Sequence, residues 1–120
     1  MSTVLVVDGA NVVGSVPDGW WKDRAGAARR LHERLLVADT SYDAIVLVLE
    51  GQAKGGVRAG RDGHVTTVHA ARDGDAEIRA QAQRAAGAGA VVTVVTADRM
   101  LAANVSPAQV LSPSWLLDRV

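Results

Sequence analysis

The sequence has 120 residues, its 13 lysines and arginines balance 13 aspartates and glutamates, and it contains no cysteine. This length predicts one domain, residues 1–120, around a single core. The neutral balance excludes the overall basic charge of a tight nonspecific nucleic-acid binder but allows a local basic patch. The lack of cysteine excludes disulfides, thiol nucleophiles and zinc–thiolate sites. The start lacks signal-peptide features, and no apolar run approaches the roughly 18 residues of a membrane span, so we expect a soluble, cytoplasmic chain.

Four apolar segments predict strands that are buried on both faces. Valine, isoleucine and leucine follow one another in them almost without polar interruption, which is typical of a parallel sheet covered on both sides. A weaker fifth candidate lies at 108–112. The four main segments are residues 3–8, 44–50, 65–70 and 90–98.

Helical patterns alternate with these strands. Apolar residues recur at helical spacing over 22–38 and over 75–86, and Gly87 is expected to end the second helix. Shorter helices are expected at 99–104 and from Ser114. The alternation predicts a three-layer α/β sandwich with a mostly parallel sheet and right-handed crossovers.

Each of the four main strands is followed by at least one carboxylate. Asp8, Glu50 and Asp98 end the first, second and fourth strands, and Asp73 and Asp75 lie just past the third. Ligands of open parallel sheets bind beyond the carboxyl ends of the strands, so we expect these five side chains to meet at one edge. Crowded carboxylates repel one another and usually need cations between them. Oxygen ligands without histidine or cysteine suit Mg²⁺ or Mn²⁺, whose chemistry in such sites is phosphodiester hydrolysis.

Ordinary structural roles compete with this interpretation. Asp8 precedes a glycine, as turn residues do, and Asn11 can either bond within that turn or bind a metal-bound water or a phosphate. Asp75 and Asp98 each come before a helix, where aspartate is a favoured N-cap. Glu50 can simply begin a solvated loop. The convergence of several carboxylates on one edge is stronger evidence for function than any one of them.

Three segments, "VLVVDGANVVG", "VTTVHAARDGDAEI" and "VVTVVTAD", resemble PIN-like nucleases, specifically the NYN family with its YacP-like ribonucleases. In that family a strand ends in Asp-Gly-x-Asn, a helix opens with Asp-x-x-Ile, and a later strand ends in Thr-Ser/Ala-Asp. Asp8 and Asn11 match the first motif, Asp75 and Ile78 the second, and Thr96-Ala97-Asp98 the third.

The resemblance spans about residues 3–112. It implies a PIN-like, Rossmann-like sheet in which the five predicted strands have the order 3-2-1-4-5. The strands that end in Asp8 and Asp98 would then be neighbours. It also implies metal-dependent cleavage of RNA, single-stranded rather than paired.

Two positions depart from the family's pattern. Met100 stands where many relatives have a second aspartate, and Arg72 stands where an acidic residue often precedes the Asp-x-x-Ile helix. Asp73 is a candidate substitute for the latter. If neither Asp73 nor Glu50 faced the site, three carboxylates would remain, and metal binding would be weak or limited to one ion.

Substrate contacts are predicted in two segments. Trp20 or Trp21 can stack on a base while Lys22 and Arg24 contact phosphates. The structural alternative is that one tryptophan fills the core under the first helix, and we expect one buried and one exposed.

The second segment, residues 51–64, is too glycine-rich for a regular element and long for a compact domain. Lys54, Arg58 and Arg61 in it can follow an RNA backbone, or they can merely solvate a flexible surface loop.

Together these features predict a metal-dependent endoribonuclease. Asp8, Asp75 and Asp98 would hold one or two Mg²⁺ or Mn²⁺ ions, with Glu50 or Asp73 completing the set. A metal-bound water would attack phosphorus.

Asn11 would position a water or a phosphate oxygen. Alternatives are a catalytically silent domain of the same fold that binds RNA or a protein, which Met100 and the neutral charge favour, and a small-molecule phosphohydrolase. A homodimer or a protein partner, including the antitoxin of a PIN-class toxin, is left open.

Overall fold

The centre of the molecule is one six-stranded β-sheet in the computed structural model, which describes residues 2–120. Its strand order is β3-β4-β2-β1-β5-β6, and all neighbours are parallel except β3, which runs antiparallel to β4. The five parallel strands have the order that the family resemblance implied. The strands are β1 (Thr3–Asp8), β2 (Ala44–Leu49), β3 (Gly60–Asp62), β4 (Val65–His69), β5 (Val91–Val95) and β6 (Gln109–Leu111).

Helices cover both faces of the sheet, which confirms the predicted three layers. Helices α1, α2 and α5 pack on one face, and α3 and α4 pack on the other. Within residues 2–120 no helix has the length and apolar character needed to cross a membrane. The helices are α1 (Gly9–Gly14), α2 (Arg24–Val37), α3 (Gly74–Gly87), α4 (Arg99–Ala103) and α5 (Pro113–Leu117), with 3₁₀ turns at Trp20–Lys22 and Gly51–Gly56.

The central strand β1 shows why the sequence is apolar without alternation. Leu5 and Val7 belong to the core under α1 and α2, whereas Val6 belongs to the core under α3 and α4, and all three are fully buried. A strand covered on both sides needs an apolar side chain at every position, so polar residues are confined to its ends.

Several predicted boundaries are wrong. The residues after Asp8 form the helix α1, which the sequence patterns did not predict, and the Asp8 side chain caps it by accepting from the Asn11 backbone N–H. Helix α3 continues through Gly87, and Gly89 rather than Gly87 has the positive φ (91°) that follows the helix. Strand β5 ends at Val95, three residues earlier than predicted.

The segment 51–64 contains regular structure, contrary to our expectation. It forms a 3₁₀ turn and the edge strand β3, and it packs tightly against α2. A Cβ on Gly56 would lie only 1.9 Å from the Ala25 carbonyl oxygen, so only glycine allows this approach. The His69 ring Nε2 bonds to the Val57 carbonyl oxygen (2.7 Å) and ties the segment to β4.

Candidate active site at the carboxyl edge of the sheet

Five carboxylates lie near one another where the parallel strands end. Asp75 is affected by the other four: burial, and then the negative charges of Asp98, Asp8, Asp73 and Glu50 in decreasing order, raise its pKa. Raised pKa values of this origin mean that the native fold holds like charges together at a free-energy cost. The fold therefore places the other four predicted acidic residues near enough to Asp75 for their charges to affect it.

Asp8 is the most enclosed of the five, with 3% of its surface exposed. Its Oδ2 accepts hydrogen bonds from the Asn11 side-chain amide (2.8 Å) and the Thr96 hydroxyl (2.8 Å). Its Oδ1 accepts only from the Asn11 backbone N–H, at 3.4 Å. These bonds fix the orientation of the carboxylate at the end of the central strand. Oδ1 has fewer and longer hydrogen bonds than Oδ2.

Thr96 joins the ends of β1 and β5, a role absent from our predicted site. Besides donating to Asp8, its hydroxyl accepts from the Asp98 backbone N–H (3.0 Å). The Thr-Ala-Asp motif includes Thr96, but its bond to Asp8 depends on the pairing of β1 with β5, which the motif does not show. Thr96 is a positioning residue for both aspartates.

Asn11 also braces the site. Its amide donates to Asp8, as described above, and its Oδ1 accepts from the Ala97 backbone N–H (3.3 Å). Both ends of the amide thus contact protein atoms across the ends of β1 and β5. In this arrangement Asn11 orients Asp8 instead of facing a water or phosphate, the role that the sequence favoured.

Of the remaining aspartates, Asp98 and Asp73 cap helices and Asp75 does not. Asp98 caps α4, since its Oδ1 accepts from the backbone N–H groups of Met100 (2.9 Å) and Leu101 (3.1 Å). Asp73, not Asp75, caps α3, because Asp73 accepts from the Ala76 N–H. The expected alternative for Asp75, an N-cap, is therefore wrong, and its carboxylate lies in the first turn of α3 without a capping role.

Glu50 connects the acidic cluster with a neighbouring cavity. Its Oε2 accepts from the Gly74 backbone N–H (3.2 Å) at the start of α3. The same side chain lines a cavity of about 350 Å³ together with Trp20 and Arg24. Glu50 is therefore held between the carboxyl edge and the space beside α1.

In the part of the chain that the structure describes, no lysine or arginine forms an ion pair with a carboxylate of the acidic cluster. The one ion pair within residues 2–120 joins Arg30 to Asp18 (3.1 Å), and neither belongs to the cluster. An all-oxygen set with uncompensated negative charge suits a hard divalent cation. In the described residues, however, no three aspartate, glutamate or histidine side chains stand close enough to enclose one ion. Binding such an ion therefore requires side-chain rotation, for which Asp75 is the least restrained.

Arg79 is a basic residue beside the cluster that the sequence analysis missed. It lines a shallow groove of about 230 Å³ together with Asp75, Asp98 and Met100. Arg79 follows Asp75 by one helical turn, the spacing that places two side chains on one helix face. The groove also shows that Met100, with 77% of its surface exposed, reaches the site but brings no ligand oxygen.

Of the two adjacent tryptophans, one is partly buried and the other exposed, so the expected difference holds only in part. Trp20 packs partly against the core, and the Arg24 guanidinium carbon lies 4.9 Å from the centre of its ring. Trp21 has 58% of its surface exposed and meets Trp20 edge to face. Lys22 is exposed and lies outside the cavity lined by Trp20 and Arg24.

The three basic residues of the 51–64 segment are separated by the fold. The Lys54 ammonium donates to the Ala70 carbonyl oxygen (3.0 Å), which gives it a structural role after β4. Arg58 and Arg61 line a different, polar groove of about 450 Å³ beside His32. The Arg61 Nε–H donates to the Gly63 carbonyl oxygen (3.0 Å), and the two arginines face this groove rather than the acidic cluster.

No protein-family model matches this sequence, and no curated protein matches it. Among solved structures, the chain resembles the crystal structure of Rae1 (YacP) from Bacillus subtilis, in its W164L mutant form. The TM-score is 0.67 at 18% sequence identity, over 97% of this chain and 73% of that chain. At this identity the likeness concerns the fold alone, and it shows that nearly the whole chain adopts the α/β fold of a YacP protein.

Proposed function

We propose that this protein is a divalent-metal-dependent ribonuclease that cleaves single-stranded RNA at the carboxyl edge of its sheet. The observation that carries the proposal is the group of four carboxylates around Asp75: burial and then their negative charges raise the pKa of Asp75, and none of the five forms an ion pair within residues 2–120. Perturbed acidic groups concentrated at a ligand-binding edge are typical of functional sites.

Two independent kinds of likeness support the same activity. The motifs around Asp8, Asp75 and Asp98 resemble the NYN family with its YacP-like ribonucleases. The backbone resembles a solved structure that bears the YacP name. The first likeness rests on a few side chains and the second on almost the entire fold, so neither one entails the other.

The proposed ligands are Asp8, Asp75 and Asp98, completed by Glu50 or Asp73. Bound Mg²⁺ or Mn²⁺ would supply a water of lowered pKa and positive charge for the phosphoryl oxygens. Within the chain, Asn11 and Thr96 keep Asp8 oriented, and Thr96 also fixes the backbone at Asp98.

Arg79 is the proposed contact for the phosphate. It shares the groove with Asp75 and Asp98, and a guanidinium donates two parallel hydrogen bonds to phosphate oxygens. Such a donor would stabilise the negative charge that develops during cleavage. Arg24, Arg58 and Arg61 are proposed contacts for the rest of the strand, whereas Lys54 is occupied by Ala70.

The test is cleavage of an end-labelled single-stranded RNA in Mn²⁺ or Mg²⁺, with and without a chelator. The Asp8→Asn substitution should lower the rate by roughly 10²–10³-fold, the usual cost of losing an essential electrostatic group. The matched control is Asp43→Asn, which changes a carboxylate at the opposite ends of the strands, bonded to the Thr3 backbone N–H (2.8 Å). Chelator-resistant cleavage, or a wild-type rate in the Asp8→Asn protein, would refute the proposal.

A silent RNA-binding domain of the same fold is the second candidate. It is favoured by Met100, which occupies the acidic groove without a ligand oxygen, and by the lack of a ready-made three-ligand set in residues 2–120. Binding of the same RNA without cleavage in any divalent ion would identify this alternative.

A further inference from the structure

A cavity lined mostly by apolar side chains and backbone lies beside the acidic cluster, with Glu50 in its wall. Its volume is about 350 Å³, and it lies between α1, the Trp20–Lys22 turn and the Gly51–Gly56 turn. Its lining is apolar or backbone except at Arg24, Glu50 and Gln52. Ligand cavities of this size typically combine apolar walls with a few polar groups that fix orientation.

The walls of this cavity are held in place by contacts elsewhere. Trp20 packs on the core and against the Trp21 ring, and Arg24 lies over its indole. The opposite wall is fixed by the close approach of Gly56 to Ala25, described above. The cavity is therefore formed before any ligand arrives, which reduces the entropy cost of binding.

The charges of the lining favour a neutral ring over a phosphate as the occupant. Glu50 places a carboxylate at the cavity, and its negative charge opposes any anion that Arg24 would attract. An uncharged aromatic ring avoids this repulsion and can stack on the indole or on the guanidinium plane. Glu50 only accepts hydrogen bonds, so it selects a ring that presents N–H donors.

We propose that this cavity binds one unstacked nucleobase of the RNA strand, next to the nucleotide that is cleaved, with guanine preferred. The inference rests on the proposed function and names the specificity site for it. Glu50 links the cavity to the cleavage site, because Gly74 at the start of α3 binds one of its oxygens. Guanine is preferred because it presents adjacent N–H groups to a carboxylate, whereas uracil presents one.

The experiment measures binding of eight-nucleotide oligouridylates that carry one guanosine, in the Asp8→Asn protein without divalent ions. Replacing the guanosine by an abasic nucleotide should weaken binding about tenfold, the worth of one stacked base. An additional Ala10→Leu substitution should remove this abasic penalty, because the exposed Ala10 lines the cavity and a larger side chain fills it. Trp20→Leu should act likewise, but it also removes core packing, so Ala10→Leu is the decisive variant.

The matched control is Trp21→Leu, since Trp21 is exposed and does not line the cavity. It should keep the full abasic penalty. Glu50→Gln should keep the penalty but reduce the preference for guanosine over uridine, because an amide both donates and accepts.

An abasic penalty that is equal in the Ala10→Leu and Trp21→Leu proteins would overturn the base site, even if wild-type protein cleaves RNA. A penalty that depends on the cavity, in a protein that cleaves no RNA with any divalent ion, would support the base site and refute the ribonuclease proposal. Failure of wild-type protein to bind these oligonucleotides at millimolar concentration would refute both.

Discussion

The carboxylates at the two edges of the sheet differ in their hydrogen-bond partners and in the negative charge around them. At the amino edge, Asp43 accepts hydrogen bonds from the Thr3 backbone and hydroxyl, and the nearby groove of about 400 Å³ has no charged residue in its lining. At the carboxyl edge, four carboxylates lie near Asp75, and none of the five forms an ion pair within residues 2–120. The fold therefore gives Asp43 hydrogen-bond partners at the first edge and gathers several carboxylates around Asp75 at the second.

Strand direction and helix capping explain how the carboxyl edge tolerates this charge. In a parallel sheet the helices begin where the strands end, and α1, α3 and α4 each start with an aspartate cap: Asp8, Asp73 and Asp98. Backbone N–H groups and the helix dipoles offset part of the charge. Asp75 caps no helix, and its pKa is raised by burial and by the negative charges around it. The difference between the edges shows where a cation would be stabilising.

The largest expected effect is a rise in thermal stability with Mn²⁺. A cation present at about 100 times its Kd adds about 2.7 kcal/mol, which raises the midpoint of a domain of this size by roughly 10 °C. Asp75→Asn should remove most of this response, and Asp43→Asn should leave it intact. Thermal melts of the three proteins, each with Mn²⁺ and with chelator, measure it. Equal shifts in all three would place the cation away from the carboxyl edge.

A smaller effect is expected from the two buried threonines of the same chain segment. Thr96→Val removes a donor to Asp8 and the acceptor for the Asp98 N–H. It should therefore lower the free energy of unfolding by about 1–3 kcal/mol and the rate of RNA cleavage about tenfold. Thr93→Val loses only a bond to the Tyr42 hydroxyl (3.0 Å) nearer the amino edge. It should lower stability by about 1 kcal/mol and leave cleavage unchanged. Urea denaturation measures the stability of the two variants, and initial rates measure their RNA cleavage. An equal loss of cleavage in Thr96→Val and Thr93→Val would refute the positioning role of Thr96.

The smallest effect concerns Asp75 in the absence of metal. Its pKa is higher in the folded chain than the ordinary value of 3.8, so the native state binds more protons than the unfolded state between those two values. The contribution of this group to stability therefore falls as pH rises through that window, and it is unfavourable at neutral pH. Asp75→Asn should raise stability at pH 7 by about 0.5 kcal/mol or less, as expected for a partly exposed position. Chelator-treated protein at pH 7 gives the measurement, and a loss of stability would show that Asp75 makes a favourable contact.

The strand ends were predictable because burial on both faces leaves no other place for a charge. Val4 to Val7 could only be a covered strand, and Asp8 then had to mark its end. The same reasoning located Glu50 and Asp98, and the order of the parallel strands followed from the motif resemblance. The roles of Asn11, Thr96 and Asp73 were not predictable, because each depends on hydrogen bonds between segments that are distant in the chain or on the register of a helix start.

The segment 51–64 shows the same limit. Its glycines indicated flexibility, yet Gly56 is there because the backbone passes within contact of Ala25 on α2. Composition alone does not distinguish a glycine that permits motion from one that permits close packing.

By itself, the sequence determined the alternation of the main strands with helices, the burial of those strands and the presence of a carboxylate at or soon after each of the four, since these follow from local polarity and periodicity. Only the tertiary structure decided which aspartates cap helices, which one is left with a raised pKa, and that Glu50 lies between the acidic cluster and a cavity beside Trp20. Such roles depend on distances between residues far apart in the chain, and these distances exist only once the sheet has assembled.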